Sequence, residues 1–173
     1  MVEYLRRVLT AQFEASLCML GECIEKCPPE HWDTPIARYP FWQVAYHTLC
    51  YVDFYLSRGE AAWRARLGER GLHPKGRAEL EDEYPSRRFE KAELMEYVAI
   101  CRAMLAGAMG AETDETLKGP SGFSRLAFSR AELHIYSIRH IQHHTGQLGA
   151  CLRRVGAAGD MDLRWVGTGW RDG

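Results

Sequence analysis

A chain of 173 residues has the length of one domain, enough to bury about two-thirds of its unfolded surface, so no second domain is required. Its 22 Lys and Arg nearly balance 23 Asp and Glu, and a net charge of -1 leaves no basic surplus to hold phosphate backbones, which argues against a nucleic-acid partner. No apolar run is long enough to cross a bilayer, and the opening MVEYLRRVLTAQFEASLCML carries charges within its apolar pattern and lacks a small-residue cleavage site; a cytoplasmic chain with no membrane segment is expected.

In chain order, Leu5, Val8, Leu9, Phe13, Ser16, Leu20, Cys23 and Cys27 follow helical spacing, with Gln12 as a polar interruption, until Pro28-Pro29 stops them. After a loop containing Trp32 and Pro35, Pro40 stands at a tolerated first-turn position, and FWQVAYHTLCYVDFYLS runs without a breaker to Gly59. This second helix is nearly all apolar or aromatic and is expected to be buried. Residues 59–85 are rich in charge and glycine and read as a long crossover, with a helical turn or two over Ala61 to Leu67. Leu94, Tyr97, Val98, Cys101, Met104, Leu105 and Ala108 then alternate by threes and fours, closing at Gly110 as a C-terminal glycine.

A loop of glycine, threonine and serine leads to Ser129, and Glu132 completes a capping box that opens a fourth helix running to about Arg154. The tail, residues 156–173, carries five glycines and two tryptophans and is expected to drape irregularly on the rest. Four helices with no strand signal between them define an all-α chain, a single four-helix bundle over residues 1–173. The long crossover between helices two and three leaves those two free to run parallel. The six cysteines lie within helical patterns, without C-x-x-C pairs, and read as buried small hydrophobes.

Helix four contains Arg139-His140-Ile141-Gln142-His143-His144-Thr145-Gly146-Gln147, in which His140 and His144 share one face and can chelate one ion. A third donor must come from elsewhere. His47 lies midway along the most apolar helix, where an unsatisfied imidazole would cost on the order of 1–3 kcal/mol. Alone it reads as a core histidine bonded to a carbonyl or a tyrosine hydroxyl; with His140 and His144 it reads as the third ligand. His143 stands off the chelating face, as a supporting or surface residue, and His31, His73 and His134 are not expected to be ligands.

The segment PFWQVAYHTLCYVDFYL followed by IRHIQHHTGQL resembles the two signature helices of the DinB/YfiT-like family, with a lone histidine on the second helix and H-x-x-H-H-x-G-Q on the fourth. His47, His140, His143, His144, Gly146 and Gln147 fill those positions. The resemblance implies a bundle with the long second-to-third crossover, one divalent ion, often nickel or zinc, on three histidines with water completing its shell, and frequently a homodimer. It also implies that some relatives are transferases or isomerases using small thiol cofactors. An outer strip of helix one, at Val2, Leu9 or Phe13, would serve a dimer or belong to the core.

Three histidines with an open position describe a catalytic site, suited to activating water for hydrolysis or a thiol for attack on a small-molecule electrophile. The position after the first histidine of the pair, where H-E-x-x-H metalloproteases carry their base, is Ile141, and the remaining candidate carboxylates are Asp53, Glu14 and Glu132. Tyr136, Cys50, Tyr51, His143 and Gln147 are expected to line the open side or to pack between helices; Cys50 as a fourth ligand would close the site. The sequence therefore reads as a metal-dependent transferase or hydrolase, with a non-catalytic metal- or ligand-binding stress protein as the alternative.

Overall fold

The computed structural model describes residues 1–65, 87–156 and 163–171. In chain order it comprises α1 (Val2–Lys26), a 3-10 turn at Pro29–His31, a hairpin of β1 (Pro35–Ile36) and β2 (Tyr39–Pro40), α2 (Phe41–Leu56), the short α3 (Glu60–Arg64), α4 (Lys91–Gly110), the short α5 (Asp114–Lys118) and α6 (Arg130–Arg154). Most of the expected crossover, with Leu67 and His73, lies outside the described residues. No described helix is long and apolar enough to cross a membrane.

The four long helices form the all-α bundle expected from their stripes. α1 and α2 each pack along both α4 and α6, which makes α1 and α2 one diagonal of the bundle and α4 and α6 the other. Contacts along the helices set their directions. Lys91 at the start of α4 reaches the carbonyls of Glu25 and Cys27 at the end of α1, and Arg6 reaches the Glu112 carbonyl beyond the end of α4, so these two are antiparallel. Phe89, just before α4, stacks on Tyr46 early in α2, while the Tyr97 hydroxyl donates to Asp53 further along, so α2 and α4 run parallel, as a long connection permits. Tyr55 meets Tyr136 and His47 meets His144, so α2 and α6 are antiparallel and bring their middles face to face.

The core is filled by Phe13, Leu17, Leu20 and Ile24 of α1, Phe41, Tyr46, Leu49 and Val52 of α2, Leu94, Tyr97 and Leu105 of α4, and Ile141, Leu148 and Leu152 of α6. Leu9 and Phe13 belong to this core and are not an outer strip, whereas Val2 is half-buried. All six cysteines are free and buried, and burial pushes the Cys23 and Cys27 thiols up to about 12, so they remain protonated and behave as small hydrophobes.

Three local devices departed from or refined the expected pattern. The segment expected as a plain loop before α2 forms the hairpin, and it supplies what Pro40 cannot: a proline at the N-cap has no side-chain acceptor, so the first amides of α2 are taken by Thr34 O from Phe41 N, at 2.9 Å, and by Trp32 O from Trp42 N, at 3.2 Å. α4 closes at Gly110 as expected, with Ala111 as a right-handed C-cap, and the chain passes through Glu112 into Thr113, which caps α5. The described tail drapes on the bundle: Gly169 N donates to Ala11 O and Gln12 donates to Gly167 O, so the polar interruption in the α1 stripe is the tail's anchor, with Val166 packed on Ala15 and Cys18.

The capping box at α6 forms as read, with Ser129 Oγ accepting from Glu132 N and Ser129 N donating to Glu132 Oε2 at 2.9 Å. Ser129→Ala is expected to lower unfolding stability by about 1 kcal/mol in urea titrations. A loss indistinguishable from zero would mean that the bundle holds the α6 terminus without this cap.

Candidate metal centre

α2 and α6 cross the site as an antiparallel pair, so His47, at the middle of α2, faces the two histidines that one turn of α6 places on one face. The ring centroids lie 5.0 Å apart for His47 and His144, 5.4 Å for His47 and His140, and 4.6 Å for His140 and His144. One ligand atom from each falls within 4.8 Å of the others, and among the described residues this is the only such group of three or more His, Cys, Asp or Glu side chains. His140 Nε2 and His144 Nε2 are 3.1 Å apart. Two nitrogens on a tetrahedral ion with bonds of about 2.1 Å would be roughly 3.4 Å apart, so the pair needs little movement to share one.

The electrostatics favour the same use. Burial, then the neighbouring His144, pulls His47 down to about 4, and burial with the other histidines pulls His140 down to about 3; His144 is also lowered by burial, against the opposing hydrogen bond it donates to Gln147. At neutral pH all three rings are uncharged, the form in which imidazole binds a metal. Three half-buried neutral rings converging on one point, with His140 Nδ1 buried and lacking a hydrogen-bond partner, fit a divalent ion as the shared partner.

These shifts carry a sign. In the unfolded chain each histidine titrates near 6.5, so as pH falls the unfolded state takes up protons before the folded state does and gains on it. Metal-free protein is therefore expected to lose stability from about pH 6.5 down to pH 4, and His47→Gln should flatten that decline without abolishing it, because His140, His144 and the buried His134 act in the same direction. Urea titrations of both proteins at several pH values decide this; identical slopes would show that His47 does not contribute.

The remaining expected site residues divide. Tyr51 stands beside the cluster, its ring 4.7 Å from His47 and 5.0 Å from His140, and Tyr136 lies next to it through Tyr55, at 5.6 Å. Gln147 accepts from His144 Nδ1 at 2.8 Å and also contacts exposed His143, so its side chain braces the His144 ring. Cys50 is completely buried in the main core and is not part of the three-residue ligand group. The three carboxylates considered for a base are engaged elsewhere: Asp53 accepts from Tyr97 at 3.1 Å, Glu14 lies 3.8 Å from Arg102, and Glu132 caps α6.

His31 lies on the 3-10 turn near Thr34, and His134 is almost fully buried against Glu112, 3.0 Å away, so neither joins the cluster. An aromatic flank not expected at the site adjoins the cluster, in which Phe54, Tyr55, Phe123 and Phe128 extend the wall begun by Tyr51 and Tyr136. Tyr55 carried a signal, since it follows Tyr51 by one helical turn; Phe123 and Phe128 lie in a connection with no periodicity. No curated protein and no solved structure matches the chain. The model of the DinB family matches residues 7–166, a span that holds His47, His140 and His144 and nearly all of the four long helices, and the chain belongs to the DinB family.

Proposed function

We propose that this protein is a metal-dependent enzyme that holds one divalent ion, nickel or zinc, on His47, His140 and His144 and transfers a small thiol to an electrophilic small molecule. The observation that carries the reading is the convergence of three neutral, half-buried imidazoles with no carboxylate or thiol in the group among the described residues. Held by His47, His140 and His144, a divalent ion would supply Lewis-acid activation of a thiol or water. The protein's own part is to fix the rings, exclude bulk water with the Tyr51 and Tyr55 flank, and orient the electrophile.

Hydrolysis is the less favoured chemistry here because it draws on a general base, and Asp53, Glu14 and Glu132 are each committed to other partners. Thiol transfer asks less: the S–H proton passes to solvent water, sulfur bonds to the electrophilic carbon, and the electron pair of the bond broken leaves with a halide, or moves to the oxygen of an epoxide or enone, which takes a proton back from water. Tyr51 is held in its neutral phenol form, because burial, and then Cys50, raise its pKa. It therefore offers a hydroxyl, not a phenolate, to whatever binds beside the histidines.

The test is a screen of zinc- or nickel-loaded protein against small thiols paired with activated halide, epoxide or enone electrophiles, reading thiol consumption. Turnover lost in His140→Ala, with its fold intact by circular dichroism, is the expected result. A protein that binds metal stoichiometrically yet consumes no thiol and hydrolyses no ester or amide in the panel would favour a metal- or ligand-binding role without catalysis.

A further inference from the structure

The Gln147 side chain bridges two histidines of α6, with Oε1 2.8 Å from His144 Nδ1 and Nε2 3.3 Å from His143 Nε2. An amide oxygen accepts and an amide nitrogen donates, so this orientation puts the His144 hydrogen on Nδ1. Neutral His144 then presents a bare Nε2, and its 3.1 Å contact with His140 Nε2 requires that His140 supply the hydrogen. That assignment leaves His140 Nδ1 without a hydrogen, and Nδ1 is one of three buried side-chain polar atoms lacking a hydrogen-bond partner among the described residues. Ser137 Oγ is another, three residues earlier on the same helix, the spacing at which side chains are neighbours.

A ligand imidazole offers one bare nitrogen to its ion and keeps its hydrogen on the other, where an acceptor orients the ring and raises its basicity. His144 already has that arrangement, and His140 has the reverse. We propose that Gln147 and Ser137 are the positioning residues of this site: Gln147 Oε1 keeps the His144 hydrogen on Nδ1 and so its Nε2 bare, and Ser137 Oγ receives the Nδ1 hydrogen that His140 must carry once its own Nε2 is a ligand. This rests on the three-histidine reading above and assigns to these two residues a role distinct from lining a pocket.

Two measurements test it, one of them independent of metal. Imidazole nitrogen NMR of the metal-free protein should show His144 as the Nδ1–H tautomer in the wild type and in Gln147→Glu, which keeps an acceptor, and should show that preference lost in Gln147→Leu. In competition titrations with zinc, Gln147→Leu and Ser137→Ala should each bind about 10–100-fold more weakly than wild type, with Gln147→Glu binding at least as tightly as wild type. A structural role alone would lower Tm without moving the tautomer. An unchanged His144 tautomer in Gln147→Leu, or wild-type zinc affinity in both Gln147→Leu and Ser137→Ala, overturns the proposal. A wild-type protein that binds no zinc would defeat the three-histidine reading, while the metal-free tautomer comparison would still decide what Gln147 does.

Discussion

Arg130→Ala is expected to destabilise the bundle by about 3–5 kcal/mol, the cost of leaving a buried charge without its partner. Arg130 is 6 % exposed and Glu112 5 %, with Arg130 Nε donating to Glu112 Oε1 at 2.9 Å. The same guanidinium donates to the carbonyls of Ser57, at 2.9 Å, and of Leu56 and Ser121, at 3.4 Å. Glu112 in turn takes the Thr116 hydroxyl at 2.6 Å and faces His134 at 3.0 Å. Burial alone would push the Glu112 carboxyl up, but the hydrogen bonds from His134, Thr116 and Arg130 outweigh it and bring it down to about 2, so the carboxylate stays charged.

One side chain therefore ties the end of α2, the segment after α4, the 119–129 connection and the start of α6. Truncating it orphans a carboxylate and several carbonyls together, which at a few degrees per kcal/mol lowers Tm by roughly 10 °C. Arg130→Lys should recover little, since one ammonium cannot reach the acceptors that a planar fork spans. The double variant Arg130→Met/Glu112→Leu should recover much of the loss, because it removes both charges. A loss below about 1 kcal/mol for Arg130→Ala would show that water repairs the site.

The second large effect concerns the histidines. His140→Ala and His144→Ala are each expected to weaken zinc binding by more than about 100-fold, beyond the range for a supporting residue, because each removes a ligand outright. His31→Ala, on a turn away from the cluster, should bind as the wild type does. Thermal shifts report the same linkage: ion at about 100 times its dissociation constant should stabilise the wild type by about 2.7 kcal/mol and leave His140→Ala unmoved. The metal-free variants should remain folded, since Phe13, Leu17, Leu49 and Leu105 build a core that does not depend on the site. Equal affinity in all three variants would remove His140 and His144 from the ligand set.

Much of this was legible because it is local. The four helices, their breaks at Pro28 and Gly59, and the Ser129 box follow from periodicity and capping chemistry within a few residues. So does the pairing of His140 with His144, one turn apart. The placement of His47 opposite them needed a different argument, the cost of an unsatisfied imidazole on an otherwise apolar helix, and the antiparallel α2 and α6 bring those rings together.

What the sequence concealed is non-local. Nothing near Glu112 announces that it will be buried between His134 and Arg130, because those partners arrive only when α6 folds back. The hairpin that caps α2 has strands of two residues, too short for alternation to register. The end of α4 at Gly110 follows from the stripe, whereas the short α5 that comes after it, capped by Thr113, has no periodic signal of its own. Spacing places Gln147 beside the pocket and no further, because its hydrogen bond to His144 depends on rotamers that spacing does not specify.

Whether His47, His140 and His144 hold one ion is decided by elemental analysis of the purified, untagged protein, before and after chelator treatment and alongside His47→Ala. About one equivalent of nickel or zinc per chain, removed by chelator, restored on reconstitution and lost in His47→Ala, is the predicted result. Wild-type protein that takes up no divalent metal on reconstitution, or His47→Ala that retains a full equivalent, would contradict it.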